Sequence, residues 1–388
     1  MSSWRNWSGS VECEPARIAR PADAAEVAAL IREAGAADRE VRVVGTGHSG
    51  TPLCATDGLL LSLDALAGVE SHDAEALSAT IAAGTKLCDL GDPLLERGLS
   101  MVNLGDIDKQ ALAGAVGTGT HGTGRQLGNV SSSVIGATVI DAEGELRSVE
   151  DRDSLRALRV SMGALGVVTS LRLRVLPAYR LHEQIRRLPV EDCLARLDEQ
   201  IAQNRHFEFF WLPFKDAAEM KTLNPTDEPA SDLPDRPYER IGWSPHIIAS
   251  ERNDKFFEME YALPAEAGPD CFRSVRARMQ QKHPDVLWPV EYRTVASDDA
   301  WLSNANGRET VTLSIHQDGS LPYREFFEDV EPILQEAGGR PHWGKIHTMR
   351  AAGLRDRYPD WDRFLTLRAE WDPKGRFLNA HLRELLGI

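Results

Sequence analysis

A glycine turn, Gly45-Thr46-Gly47-His48-Ser49-Gly50, follows the apolar run 41–44 and constrains the fold more than any other stretch of the chain. Its GxGxxG spacing, with Asp64 downstream, spells the fingerprint of a nicotinamide-binding βαβ unit. That unit needs a crossover helix after the glycines, because a parallel partner strand is reached only through a dozen or more residues. Only TPLCATDG, eight residues with a proline, separates Gly50 from the next apolar run at 59–63. No helix fits, and the nicotinamide reading fails.

Glycines in a tight loop can instead present backbone N–H groups to an anion without any lysine. A second run, Gly114 to Gly124, holds five glycines in eleven positions with Thr118, Thr120 and Thr123 between them. Alone it reads equally well as a glycine-rich turn between strands. Two such loops, with few basic residues beside either, point to a diphosphate held by backbone amides.

The apolar patterning around these loops is α+β. It predicts a helix over 21–35, strands at 41–44, 59–63, 77–84, 134–140, 145–149 and 167–175, and a short helix over 89–98. Residues 101–124 are poor in helix formers. Past Pro177 a second α+β unit begins, with a helix over 190–203 and an aromatic strand over 206–214. Residues 222–246, with Pro225, Pro229, Pro234, Pro237 and Pro245, read as a long loop or lid. The segments EMEYAL, VEYRTV and TVTLSIH read as strands, alternating with helices around 268–282 and 322–337.

Composition narrows the partners. With 59 acidic against 44 basic residues the net charge is −15, which excludes a general nucleic-acid binder. No apolar run reaches the roughly 18 residues of a membrane span. The start lacks the apolar core of about 7–15 residues of a secretory signal, so a cytoplasmic location is expected. Five cysteines without a CxxC argue against disulfides and against a thiolate zinc site. His342 and His347 have no metal-ligand spacing around them, so no metal is expected. Oligomeric state is not legible.

Three stretches then carry a resemblance. Val43-Val44-Gly45-Thr46-Gly47-His48-Ser49, Asn103-Leu104-Gly105 and Gly117-Thr118-Gly119-Thr120-His121-Gly122-Thr123-Gly124 resemble the FAD domain of the vanillyl-alcohol-oxidase-type flavoproteins. SMGALGVVTSLRLRV at 161–175 is similar to that domain's closing strand. In the second half, Val290-Glu291-Tyr292-Arg293-Thr294, Arg340-Pro341-His342-Trp343-Gly344-Lys345 and the run 372–379 resemble the aldonolactone and alditol oxidase branch. The resemblance implies a two-part FAD-binding domain (1–178), an α+β substrate-binding cap (179–365) and a C-terminal segment (366–388) returning to the FAD domain. It implies FAD contacts from Val44, Gly45, Thr46, Gly47, His48, Ser49, Gly105, Gly114, Gly117, Thr118, Gly119, Thr120, His121, Gly122, Gly166 and Val168. His48 matches the histidine that the family bonds to the flavin 8α-methyl, and an imidazole between glycines is a good nucleophile near neutral pH.

On the substrate side, Glu291 and Arg293 alternate along a predicted strand, so both side chains share a face. Unaided, such a pair reads as a structural ion pair; the resemblance implies a clamp for hydroxyl groups. Lys345 is implied to lie by the flavin N1–C2 edge and the substrate, where a cation stabilises the reduced flavin. Two positions depart from the alditol-oxidase pattern. Asp106 stands where serine is usual and His316 where threonine is, with Ser314 where a histidine is usual. Asp106 and His316 could together form the base; equally they could be a loop carboxylate and a satisfied strand histidine.

The resemblance implies hydride transfer from the CH–OH group of a small, polar, sugar-derived lactone or polyol to flavin N5, then electron transfer to dioxygen. Gly105 favours the oxidase, because related dehydrogenases often carry alanine there, where its methyl obstructs oxygen. An alditol oxidase, or a dehydrogenase with another acceptor, is the near alternative; a catalytically silent flavin-binding protein and a nicotinamide dehydrogenase are the remote ones.

Overall fold

The computed structural model describes residues 3–231, 233, 235, 236, 238–250 and 252–388. Apolar strands Arg17–Ala19, Leu59–Ser62 and Val41–Val44 form a three-stranded parallel sheet with Leu59–Ser62 in the centre. Helix Ala24–Ala36 links the first of these to Val41–Val44. Asp23 caps that helix by accepting from the Glu26 amide at 2.9 Å, and Val27, Ala28, Ile31 and Ala34 face the sheet core. The glycine loop joins Val41–Val44 to its parallel neighbour through residues 45–58 without a helix. The two strands are therefore parallel, as in a dinucleotide fold, but the crossover helix is missing.

A five-stranded antiparallel sheet completes this half, in the order Leu146–Val149, Val134–Ile140, Val167–Arg174, Ser78–Ala82, Val69–Asp73. Several local expectations fail here and in the next unit. The second glycine run is not a turn: Leu112–Thr118 is a helix, closed by Gly119 in the left-handed conformation (φ +78°). Burial of Leu112, Ala115 and Val116 outweighs the poor propensity of its glycines. The expected helix over 190–203 breaks at Arg196 into Val190–Ala195 and Leu197–Gln203. The segment 89–98 shortens to Gly91–Leu95, behind a tight turn.

The second half is built on an eight-stranded antiparallel sheet. Its order is Glu239–Trp243, Arg180–Pro189, Ala217–Thr226, His206–Leu212, Val290–Val295, Thr310–Asp318, Phe256–Pro264, Arg340–Pro341. The proline-rich 222–246 stretch is therefore not one long loop. Ala217–Thr226 pairs with Arg180–Pro189 along ten residues, Glu239–Trp243 forms the sheet edge, and Ser244–Ile248 is helical. Pro225 ends a strand and Pro245 opens a helix, positions that tolerate a missing N–H; Pro234 and Pro237 lie outside the described residues.

Alternation sorts the central strands into two faces. Phe207, Phe209, Tyr292, Leu313, Met259 and Tyr261 belong to one apolar core with Phe272 and Val275 of helix Gly268–Lys282 and Val330 of helix Arg324–Glu336. Phe209 stacks on Tyr292 at 4.8 Å and meets Phe272 edge-on at 5.2 Å. Glu208, Glu291, Arg293, Ser314, His316, Glu258 and Glu260 take the other parity. That face is buried too, against the glycine-loop half.

The chain's last segment returns to the parallel sheet. Asp372 accepts from the amides of Arg376 and Phe377, and Phe377 joins the core of that sheet. The buried Arg42 guanidinium donates to the carbonyls of Leu53, Met162 and Phe377. Asn379 caps helix Ala380–Leu386 through the Leu382 amide and donates to the carbonyls of Pro52 and Ala55 at 2.8 and 2.7 Å. Asn379→Ala should therefore cost about 2–3 kcal/mol in denaturant unfolding, one cap plus two stranded acceptors. Asn379→Ser, which can cap but cannot reach the carbonyls, should recover about 1 kcal/mol of that.

Candidate active site

A cleft of about 1750 Å³, counted out to its open mouth, runs between the two halves. One wall is the pair of glycine segments, the other the polar face of the large sheet. The first loop is held in place from three sides. Strand Val41–Val44 delivers it, the Trp7 amide donates to the Gly47 carbonyl at 2.8 Å, and the Gly50 amide donates to the Gly344 carbonyl at 2.7 Å. Gly45 has no room for a side chain, since a Cβ there would sit 2.6 Å from the Ala111 Cβ at the head of the second run. Close approach of the two segments thus selects glycine.

Gly114 and Gly117 are glycine for the opposite reason. Their missing Cβ atoms would meet nothing within 4 Å and only the Met162 amide nitrogen at 4.0 Å, so bare backbone faces the open cleft. Val44, Thr46, Gly47, His48, Ser49, Gly105, Thr118, Thr120, His121, Gly166 and Val168 line the same space. This cradle fits an extended FAD: narrow, glycine-walled and without a basic cluster along the loops. Two expected contacts fall elsewhere. Gly119 is spent on ending the helix, and Gly122 is crowded by the Leu104 carbonyl, so neither lines the cleft.

His48 has the indole of Trp7 stacked on it at 5.1 Å, and Phe256 meets that indole edge-on at 5.3 Å. Burial, aided by the Lys345 charge, brings the imidazole down to about 4, so it is neutral and its lone pair is available at physiological pH. Gly105 lines the cleft at ordinary contact distances, with no positive φ that would require glycine for a turn.

The opposite wall is a set of ion pairs. Arg293 Nη2 donates to Glu260 Oε2 at 2.6 Å and lies 3.3 Å from Glu291 Oε2. Glu260 also accepts from Ser314 Oγ at 2.6 Å and meets His121 Nε2 at 2.8 Å. Burial opposes its ionisation, but His121 and Arg293 hold the carboxyl well below the usual range. Glu291 goes the other way. Burial outweighs the Arg293 charge, and Glu208 and Asp106 add to it, raising the carboxyl to about 8. Its neutral form is thereby favoured, and its Oε1, like Arg293 Nε, is buried without a partner.

The turn Arg340–Lys345 runs beside strand Phe256–Pro264, with the His342 amide on the Glu260 carbonyl at 3.0 Å and the Ile346 amide on that of Glu258 at 2.9 Å. This places the Lys345 ammonium on the Glu258 carboxylate. His316, directly across from Glu258 in the sheet, donates from Nδ1 to the Pro289 carbonyl at 2.8 Å. Asp106 does not join it. Its carboxylate is taken by Lys221 at 3.3 Å, Ser250 Oγ at 2.8 Å and Arg252. Burial alone would raise it, but the two cations bring it down to about 2, which makes it a poor base.

Glu258, Glu260 and Arg252 are site residues that the sequence reading passed over. A signal for two of them was present: EMEYAL carries two glutamates at strand spacing in an otherwise apolar run. Arg252, on a loop, left none. Trp211, Trp243, Trp288 and Trp301 do not line the cleft.

Comparison with known proteins places this geometry. The D-arabinono-1,4-lactone oxidase family matches residues 171–245 and 236–385, and an FAD binding domain matches 15–150. L-gulono-1,4-lactone dehydrogenase of Mycobacterium tuberculosis is 36% identical over 99% of both chains. Alditol oxidase of a Streptomyces species is 30% identical over 98% of both. In fold the chain is similar to cholesterol oxidase from B. sterolicum, with a TM-score of 0.86 at 16% identity over 99% of this chain and 96% of that one. No helix among the described residues is long and apolar enough to cross a membrane. The chain belongs to the D-arabinono-1,4-lactone oxidase family of FAD-dependent oxidoreductases acting on CH–OH groups.

Proposed function

We propose that the protein is an FAD-dependent oxidase that takes hydride from a CH–OH group of a sugar-derived lactone or polyol and reduces dioxygen to hydrogen peroxide. The observation that carries this reading is the pairing of charges at the cleft. Arg252 is paired with Asp106, Arg293 with Glu260 and Lys345 with Glu258. Fixed charges that neutralise one another, beside many donors and acceptors, suit a neutral, hydroxyl-rich substrate better than an acid or an amine. Glu291 and Arg293, whose Oε1 and Nε have no partner in the protein, both line the cleft. The names of the relatives, a gulonolactone dehydrogenase and an alditol oxidase, bracket the same substrate class.

When bound, FAD supplies the two-electron acceptor. The protein's own groups orient the carbinol, exclude water and hold charge. Arg293 presents a fixed fork to substrate oxygens, and Lys345 keeps a cation at the cleft beside Glu258. For the acceptor, Gly105, which lines the cleft without a methyl of its own, favours dioxygen. A dehydrogenase using another acceptor is the second reading, favoured by the name of the 36% identical relative. Anaerobic bleaching of the flavin across lactones, alditols and simple alcohols tests the substrate class, and bleaching by none of the sugar-derived compounds defeats it.

The neutral, indole-stacked His48 beside open cleft supports a covalent flavin. Acid-precipitated protein should stay yellow, and His48→Ala should release all its flavin to the supernatant. Colourless wild-type precipitate would rule the bond out.

Gly105 generates the test of the acceptor. Reduced wild-type enzyme mixed with dioxygen in a stopped-flow instrument should reoxidise rapidly. Gly105→Ala, which the local contacts tolerate, should slow that step by about tenfold or more, a barrier change of about 1.4 kcal/mol. Slow wild-type reoxidation would establish the dehydrogenase reading instead.

A further inference from the structure

The proton of the substrate hydroxyl needs an acceptor, and most of the polar wall is already committed. Asp106 accepts from three donors, and Glu260 is saturated by Arg293, His121 and Ser314. Glu291 keeps one oxygen on Arg293 at 3.3 Å, and burial favours its neutral form. His342 Nδ1 accepts from the Gly344 amide at 3.1 Å. His316 differs. The Pro289 carbonyl can only accept, so it fixes the ring hydrogen on Nδ1 and leaves Nε2 as a bare lone pair in the neutral imidazole. That lone pair lies 3.7 Å from Glu258 Oε1, too far for a hydrogen bond, with both residues lining the cleft. A lone pair thus faces a carboxylate oxygen across a gap that a proton would make attractive.

We infer that His316 Nε2 is the proton acceptor of the reaction, and that Glu258 is the positioning residue that stabilises the imidazolium formed there and holds Lys345. This rests on the CH–OH oxidation proposed above. In the step, the substrate O–H bond breaks and its proton forms an N–H bond at Nε2. The carbinol C–H bond breaks, its electron pair leaving with the hydrogen as hydride to bound FAD, and a carbonyl double bond forms. The imidazolium later returns its proton to solvent. Glu258 touches the chemistry only through others: Oε1 faces His316, and Oε2 holds Lys345. The groups facing His316 are Glu258, which favours its protonation, and Lys345 and Arg252, which oppose it, with burial the largest opposing influence. Phe256 meets the ring edge-on at 5.3 Å and Trp288 lies 6.4 Å away, walls that exclude water from the pair.

Two measurements on the FAD-loaded enzyme test the pair. In the first, ring-¹⁵N NMR of His316 is followed against pH. Glu258→Gln should move the titration to lower pH, because a carboxylate facing the ring is lost, and Glu258→Asp should restore most of the wild-type position. A titration unmoved by Glu258→Gln overturns the pairing, whatever the substrate proves to be. In the second, anaerobic flavin reduction by a bleaching lactone or polyol is timed against pH. His316→Gln, with FAD content retained, should lower the rate by about 100-fold or more and flatten the profile. A wild-type profile surviving in His316→Gln overturns the assignment of the base. Failure of every lactone and polyol to bleach the wild type would sink the functional reading, while the NMR arm still decides the pairing.

Discussion

A carboxylate buried to 1% exposure between two domains is the constraint on which the cleft depends. Glu260 belongs to the cap, but one of its oxygens meets His121, which follows the helix built on the second glycine run. Its other oxygen takes Arg293 and Ser314 from the neighbouring strands. An uncompensated charge at such depth costs several kcal/mol, and removing one partner of a buried pair is more damaging than replacing the whole pair by apolar groups. The glycine-loop half and the cap sheet therefore hold each other in register through this residue, and both walls of the cleft are set by it. Backbone contacts support the same docking: the Gly124 amide donates to the Thr294 carbonyl, and Thr51 Oγ1 donates to the Trp343 carbonyl.

The strand register explains why so many charges converge. Glu208 lies across from Arg293, Glu291 and Glu260 from Ser314, and Glu258 from His316. Residues directly opposite on adjacent strands share a face at a few ångströms' separation. One parity of four strands becomes a continuous polar wall, and the other parity meets two helices. A register slip of one residue would exchange the faces, burying glutamates among Phe209, Tyr292 and Phe272.

How much of this is legible in the chain depends on whether the constraint is local. Close approach at Gly45 and the open backbone at Gly114 and Gly117 demand glycine whatever lies far away, so the cofactor loops can be read as residue runs. Glu291 and Arg293 can be paired because they alternate on one strand. The partners of Glu260 and Glu258 cannot, because His121 is 139 residues from the one and Lys345 is 87 from the other. Only the fold brings them together. Local propensity also misled where burial decided the outcome, as in helix Leu112–Thr118, and where proline sits at an element's end, as in 222–246.

Asp106 shows how a change at one position of such a wall is absorbed by others. A carboxylate beside Glu208 and Glu291 would be repelled by both, and the structure answers with two cations. Lys221 lies 3.1 Å from Glu208 and 3.3 Å from Asp106, and Arg252 reaches Asp106 from the loop ahead of strand Phe256–Pro264. Ser250 adds its hydroxyl and its amide, so the carboxylate and the backbone of Asp106 both hold that loop over the cleft. Arg252 in turn lies over the Phe210 ring at 5.3 Å, which fixes its planar head without further charge. An acid at this position is therefore spent as an anchor: the cations that make it tolerable also take away its basicity. The proton-accepting role then falls on His316, whose Nε2 lone pair no donor in the protein occupies.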